Sequence, residues 1–137
     1  MKNIRASAVV IHNNKVLLIH RIKNGEEYYV FPGGAVENNE TIEETVLREL
    51  KEETSIKASI DKLIYTWKSD KSDHKQYYYL CKYISGEPEI GKDSVEAMRM
   101  EKGKNDFYEP VWIQINNLNG LEVYPKELMD IILQLWT

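Results

Sequence analysis

Residues 33–56 read GGAVENNETIEETVLRELKEETSI, and this stretch decides the fold. Within it, Glu49, Glu52 and Glu53 are spaced i, i+3 and i+4, which places three carboxylates on one side of a helix. Like charges at these spacings destabilise an isolated helix by roughly 0.2–0.5 kcal/mol per pair, so helix stability does not explain them. The pattern indicates a missing cation, and a ligand set made of oxygen atoms favours Mg²⁺ or Mn²⁺.

The helix that carries these carboxylates is predicted over residues 42–54, and Thr41 and Glu44 form a capping box ahead of it. A helical wheel with about 100° per residue places the acidic stripe beside the apolar face and partly over it. Carboxylates about 6 Å apart in such a position repel by roughly 3 kcal/mol per pair at an effective dielectric constant of about 20. A bound divalent cation would remove that repulsion. The apolar face consists of Ile42, Val46, Leu47 and Leu50.

Segments on both sides of this helix have the composition of β-strands. Asn13-Asn14 predicts a tight turn between the first two strands, and Pro32-Gly33-Gly34 predicts a loop before the acidic helix. A second helix is expected from Pro125 onwards, and residues 94–101 are a candidate short helix. The predicted strands are residues 6–11, 16–20, 27–31, 60–67, 75–84 and 108–115, which together with the helices give a mixed α/β domain.

Composition limits the classes of function that need to be considered. A length of 137 residues fits one domain, residues 1–137, with a core that needs no disulfides. The formal net charge of −4 gives no reason to expect a nucleic acid or an anionic membrane as a partner. Cys81 is the single cysteine, so an internal disulfide is impossible and a cytoplasmic location is expected. No apolar run approaches the length of a transmembrane helix.

Several of these residues occupy the positions of a known motif. The spacing resembles the Nudix box, GX5EX7REUXEEXGU with U an aliphatic residue, and eight of its nine fixed positions are present. Ser55 stands where the family has glycine, which ends the helix in a left-handed conformation. We expect Ser55 to adopt that conformation at a cost of roughly 1 kcal/mol and without loss of a metal ligand. The matching residues are Gly34, Glu40, Arg48, Glu49, Leu50, Glu52, Glu53 and Ile56.

The resemblance implies a Nudix-type α/β/α sandwich with a mixed sheet, and Mg²⁺-dependent hydrolysis of a nucleoside diphosphate linked to another group. It implies that Glu40 and Arg48 form a pair that orients the site. It also implies that Glu49 or Glu52 is the general base, a choice that the sequence leaves open. The implied metal ligands are the carboxylates of Glu49, Glu52 and Glu53 and the carbonyl oxygen of Gly33.

Residues outside the box are weaker candidates for substrate binding. Gly33 and Gly34 would allow phosphates and metal to approach the backbone closely. Arg21 and Lys23 follow the second strand and could face a phosphate, although exposed basic residues are usually only solubilising. Glu109 is a possible further carboxylate, with a surface role equally consistent. Candidates for stacking a base are Tyr29, Phe31, Trp67 and Tyr77, although most aromatic residues on strands belong to the core.

Two other functions remain in competition with hydrolysis of a nucleotide. A nucleotide-binding sensor of the same fold is disfavoured because every box carboxylate is intact. An isoprenoid diphosphate isomerase is disfavoured because Cys81 lies in a β-rich run without nearby metal-binding histidines. The compact chain favours a MutT-like pyrophosphatase acting on a (d)NTP or an oxidised dNTP, with ADP-ribose and dinucleoside polyphosphates left open. A homodimer is compatible with the resemblance.

Overall fold

A computed structural model describes residues 3–89 and 106–136, so the predicted helix over residues 94–101 lies outside the described residues. No helix in these two ranges is both long enough and apolar enough to cross a membrane. The strands are β1 (Ile4–His12), β2 (Lys15–Lys23), β3 (Glu26–Val30), β4 (Gly33–Ala35), β5 (Lys57–Lys68), β6 (Lys75–Ser85), β7 (Asp106–Gln114) and β8 (Val123–Tyr124). The helices are α1 (Ile42–Thr54), α2 (Lys126–Trp136) and a 3₁₀ helix (Ile115–Gly120).

The strands form one mixed sheet in the order β5-β6-β1-β2-β3-β8, with β4 on β1 and β7 on β2. β1 is parallel to β6 and antiparallel to β2. β1 and β2 pair only at the hairpin end, Ile11 with Val16 and His12 with Lys15. Asn13 and Asn14 form the predicted turn with φ of 53° and 63°. Beyond the hairpin end the two strands diverge, and β4 pairs with β1 on the side that β2 leaves open.

Each face of the sheet packs against one helix, because side chains alternate between the two faces of a strand. Ala6, Ala8 and Val10 of β1 belong to a core with Val46 and Leu50 of α1. On the other face, Val9 of β1 and Leu18 of β2 pack in a second core that includes Leu128 and Ile132 of α2. The predicted α/β/α sandwich with a mixed sheet is therefore confirmed.

The first helix has the predicted bounds and both of its predicted ends. Thr41 accepts a hydrogen bond from the Glu44 amide at 3.0 Å, and Glu44 accepts one from the Thr41 amide at 2.8 Å. Ser55 has φ 63° and ψ 11°, which confirms the predicted left-handed conformation. Its hydroxyl donates to the carbonyl oxygen of Glu89 at 2.7 Å, which ties the chain that follows β6 to the end of α1.

The structure differs from the sequence-based prediction in several places. Gly33 and Gly34, predicted as part of a loop that begins at Pro32, belong to β4, because the backbone of residues 33–35 pairs with residues 5–7 of β1. The 3₁₀ helix and β8 were not predicted, since both are short and β8 exists through pairing with β3. α2 begins at Lys126, one residue after Pro125. On α1, Val46 and Leu50 are fully buried, whereas Ile42 and Leu47 are only half-buried.

Candidate functional site

A cleft of about 900 Å³ opens where β1 and β2 diverge. Its acidic wall carries Glu49, Glu52 and Glu53 of α1, next to Gly33 and Gly34 of β4. The remaining walls come from β1, β2, β3, β6, β7, β8 and the start of α2. The cleft is therefore lined by basic side chains as well as by carboxylates. The basic side chains are those of Arg5, Arg21, Lys23 and Lys126.

Two glycines bring β4 into direct contact with the acidic side chains of α1. The Gly33 amide donates a hydrogen bond to Oε1 of Glu53 at 2.6 Å, and Glu53 is 9% exposed. A Cβ atom on Gly34 would lie 2.5 Å from Cδ of Glu49, closer than side chains tolerate. Gly34 therefore provides the space that the Glu49 carboxylate occupies.

Arg48 connects the carboxylates to the segment that precedes the helix. Its Nε and Nη2 atoms donate to the two oxygens of Glu40 at 2.6 and 3.0 Å, a bidentate pair. Its Nη1 atom donates to Glu49 at 2.8 Å and lies 3.4 Å from Glu52. A further bond from Nη2 reaches the carbonyl oxygen of Ala35 at 3.2 Å. One guanidinium thus fixes the positions of Glu40 and Glu49 relative to β4.

Arg48 and Glu40 each shift the pKa of the other. The hydrogen bond from Arg48 lowers the pKa of Glu40 to about 2, against the opposing effect of desolvation. Donors from the Thr45 hydroxyl at 2.7 Å and the Glu37 amide at 3.1 Å lower the pKa of Glu40 further. In return, the hydrogen bond with Glu40 raises the pKa of Arg48. Glu40 is therefore ionised at neutral pH and serves as a fixed anchor for the arginine.

The three carboxylates proposed as metal ligands on α1 differ in how tightly the protein holds them. Glu53 is buried, the Glu49 side chain is 16% exposed, and the Glu52 side chain is 50% exposed. Within residues 3–89 and 106–136, no group of three His, Cys, Asp or Glu side chains is arranged to hold a metal ion. Glu49 points to Arg48 and Glu53 points to the Gly33 amide. The donor atoms are nevertheless all oxygens on adjoining elements, which is the chemistry that Mg²⁺ and Mn²⁺ require.

Arg21 lies on the cleft wall between two tyrosine rings. It is directly opposite Tyr28 of β3 on one side and Tyr108 of β7 on the other. Its guanidinium carbon is 5.4 Å from the Tyr28 ring centroid and 4.4 Å from that of Tyr108, and Nη2 donates to the Tyr108 hydroxyl at 2.5 Å. In the part of the chain that the structure describes, no carboxylate forms an ion pair with Arg21.

The other candidates from the sequence divide between the cleft and the rest of the surface. Lys23 and Phe31 line the cleft. Glu109 does not line it, because it pairs with His20 and lies on the face of β7 opposite to Tyr108. The aromatic candidates that lie outside the cleft are Tyr29, Trp67 and Tyr77.

Three tyrosines that do line the cleft were not predicted from the sequence. Tyr108 lies directly opposite Arg21, so the register of β2 and β7 would have identified it. Tyr78 lies 7% exposed at the cleft, and burial raises its pKa to about 12. Tyr124 lies two residues before the start of α2, and it was missed because β8 was not predicted. The cleft is thus more aromatic than its acidic motif suggests.

The chain is similar in sequence to a known protein family and to several proteins from other organisms. A family model described as NUDIX domain matches residues 1–123. An ADP-ribose pyrophosphatase from Methanocaldococcus jannaschii is 33% identical over 99 residues, which cover 69% of this chain and 59% of that protein. A MutT-like protein from Streptomyces ambofaciens is 33% identical over 89 residues, 65% of this chain and 56% of that protein. The chain therefore spans less than two thirds of the length of both relatives.

A solved structure gives the same assignment at the level of the fold. The MutT NUDIX hydrolase from Burkholderia pseudomallei superposes with a TM-score of 0.68 at 21% identity, covering 100% of this chain and 99% of that one. The first helix, the glycine contacts of β4 and the Arg48–Glu40 pair all lie within the region that the family model matches. The chain belongs to the NUDIX family.

Proposed function

We propose that this protein is a divalent-cation-dependent hydrolase that cleaves the diphosphate linkage of a nucleoside diphosphate derivative. One observation carries the proposal: the Arg48–Glu40 pair and the Gly33–Gly34 backbone hold Glu49 and Glu53 at a cleft with basic side chains on its other walls. A diphosphate needs both features, because its oxygens repel a nucleophile until cations neutralise them.

Glu49, Glu52, Glu53 and the carbonyl oxygen of Gly33 would hold Mg²⁺ or Mn²⁺. The cation, when bound, neutralises phosphate oxygens and acidifies a water molecule. Arg48 orients Glu49 through the bond at 2.8 Å, and Glu40 fixes the plane of the guanidinium. Arg21, Gly33 and Gly34 would contact the phosphates of the substrate.

Glu52 is the better candidate for the general base. Its side chain is half exposed and lies 3.4 Å from Arg48, whereas Glu49 is held at 2.8 Å by the same arginine. A carboxylate that accepts a proton during turnover must be accessible to water, and a short hydrogen bond from an arginine opposes its protonation. These contacts favour Glu52 over Glu49 for this role.

Two substrate classes have specific support. A (d)NTP or an oxidised dNTP, hydrolysed to a nucleoside monophosphate and pyrophosphate, is supported by the similarity to MutT and MutT-like proteins. ADP-ribose is the second candidate, because the relative from M. jannaschii is named an ADP-ribose pyrophosphatase. In this proposal a small-molecule nucleotide binds in the cleft, and residues 1–137 form one domain. The proposal also includes a cytoplasmic location, and it is compatible with a homodimer.

The proposal is tested by a substrate screen with product analysis in Mg²⁺ buffer. The screen contains dNTPs, oxidised dNTPs, dinucleoside polyphosphates and ADP-ribose. We expect hydrolysis of at least one class by the wild type and a large loss in Glu53→Gln. Glu43→Gln changes an exposed carboxylate on the same helix and serves as the matched control. Binding of nucleotides without any hydrolysis would contradict the proposal and favour a nucleotide sensor.

A further inference from the structure

Tyr124 is an exposed aromatic side chain at the cleft. Several large apolar side chains are more than a third exposed among the described residues, and of these Tyr124, at 43%, is the one that lines the cleft. Single exposed apolar residues are common on protein surfaces, so exposure alone carries no argument. Tyr124 is distinguished by the position of its ring at the cleft and by the contacts that orient the ring. The exposed large apolar side chains that do not line the cleft are Leu63, Trp67, Ile84, Phe107 and Leu135.

The Tyr124 ring is held from more than one side while it stays exposed. The Tyr28 ring contacts it edge-on, with centroids 6.1 Å apart and an interplanar angle of 64°. Its hydroxyl donates to Oε2 of Glu122 at 2.9 Å. Its backbone belongs to β8, which pairs with β3. A ring with a fixed orientation loses little conformational entropy when a planar ligand stacks on it.

The position of Tyr124 along the cleft fits one end of a nucleotide. Tyr124 is paired with Val30 across neighbouring strands, which lie about 4.8 Å apart. Val30 is three residues before Gly33, a span of at most roughly 11 Å. The backbone of Tyr124 therefore lies at most about 16 Å from Gly33, whose amide contacts Glu53, and the base and phosphates of one extended nucleotide can span that distance. The Lys126 Nζ atom lies 5.9 Å from the ring centroid and 3.8 Å from Oε2 of Glu122, so charges of both signs lie beside the ring.

We propose that Tyr124 is the platform on which the aromatic base of the substrate stacks, and that it determines the preference of this protein for nucleotides. The proposal rests on the proposed function, in which the phosphates of the same ligand lie beside α1. A base has a planar face that stacks on an aromatic side chain, whereas ribose phosphates and pyrophosphate have none. Tyr124 is thus assigned to the base, and Arg21 to the phosphates.

Binding measured by calorimetry in Mg²⁺ buffer tests the platform without requiring turnover. The probes are AMP and dGMP, which carry a base, and inorganic pyrophosphate, which does not. We expect Tyr124→Ala to weaken nucleotide binding by about tenfold or more and to leave pyrophosphate binding unchanged. Tyr124→Phe keeps the ring and should retain wild-type affinity. Trp67→Ala removes a ring of similar exposure, 41%, outside the cleft and should change neither affinity.

Distinct results overturn the platform and the proposed function. Unchanged nucleotide affinity in Tyr124→Ala, an equal loss for pyrophosphate, or no nucleotide binding by the wild type would each overturn the platform. A thermal melt of each variant, together with Tyr124→Leu, separates loss of the ring from loss of folding. Base-dependent binding that needs Tyr124 but leads to no hydrolysis of any nucleotide would leave the platform standing and remove the hydrolase proposal.

Discussion

At Arg48, a single side chain joins the pre-helix segment to the carboxylates that we propose as metal ligands. Its planar guanidinium contacts Glu40 with two nitrogens and Glu49 with a third. A lysine at this position would provide one point charge and could not reproduce that geometry. The arginine therefore sets where Glu49 lies, and its own position depends on Glu40.

The depressed pKa of Glu40 predicts a pH-dependent contribution to stability. A carboxylate whose folded-state pKa lies below its unfolded value stabilises the fold above the unfolded pKa, and this contribution is lost as the pH falls through the folded pKa. Between about pH 4.5, its ordinary value, and about pH 2, the stabilisation by Glu40 should disappear. Urea unfolding should show Glu40→Gln to be less stable than the wild type by roughly 1–2 kcal/mol at pH 7, with the gap shrinking below pH 4.5. A gap that does not vary with pH would contradict the assignment.

Ser55 combines a strained backbone conformation with a hydroxyl contact. Ser55→Gly removes the strain and the hydrogen bond to Glu89, whereas Ser55→Ala removes only the hydrogen bond. We expect the Gly variant to be more stable than the Ala variant by roughly 1 kcal/mol, and catalytic activity to be the same in both. Equal midpoints of chemical denaturation would show that the left-handed conformation carries no cost here.

At the scale of elements, β4 is the contact on which the site depends. It packs its backbone against β1 on one side and against the carboxylates of α1 on the other. At Gly33 and Gly34 there is no room for a side chain, because a Cβ atom would meet β1 at Gly33 and Glu49 at Gly34. The two glycines of β4 therefore have different roles, because different atoms surround them.

Alanine substitutions should separate these two roles. A Cβ on Gly33 would meet the Ala6 carbonyl oxygen at 2.5 Å and the Ser7 Cα at 2.7 Å, and backbone atoms cannot move aside. Gly33→Ala should therefore lower the free energy of unfolding by about 1–3 kcal/mol. The three atoms nearest to a Cβ on Gly34 all belong to the Glu49 carboxylate, which can turn away if it gives up its contact with Arg48. We therefore expect Gly34→Ala to have a nearly unchanged melting temperature but a loss of about 100-fold in kcat. Thermal melts and steady-state kinetics on both variants check this, and the reverse pattern would refute it.

The sequence predicted those elements whose signals are local. The capping box and the apolar spacing sufficed for α1, and Asn13-Asn14 sufficed for the hairpin turn. β4 and β8 were missed because a glycine pair and a two-residue strand carry no local strand signal. They form only because β1 and β3 offer backbone partners that are distant in the sequence.

At the scale of the whole molecule, the cleft results from the divergence of β1 and β2. Ser7 lies on the face of β1 opposite to Ala6 and Ala8, whereas Arg21 lies beyond the hairpin pairing on β2, and both line the cleft. No local sequence pattern predicts that residues from these distant strands line the same cleft. The acidic wall could therefore be predicted from one motif, while the basic and aromatic walls, with Tyr108 and Tyr124, required the three-dimensional register.

The most direct test of the central claim is the dependence of nucleotide hydrolysis on Mg²⁺ in the wild type, Glu52→Gln and Glu43→Gln. The measurement is kcat on the substrate that the screen identifies, with Mg²⁺ and with excess chelator. We predict that chelation abolishes turnover, that Glu52→Gln lowers kcat by roughly 100-fold or more, and that Glu43→Gln stays within about twofold of the wild type. Turnover that persists without a divalent cation, or full activity in Glu52→Gln, would contradict the claim that the carboxylates of α1 form a metal-dependent hydrolytic site.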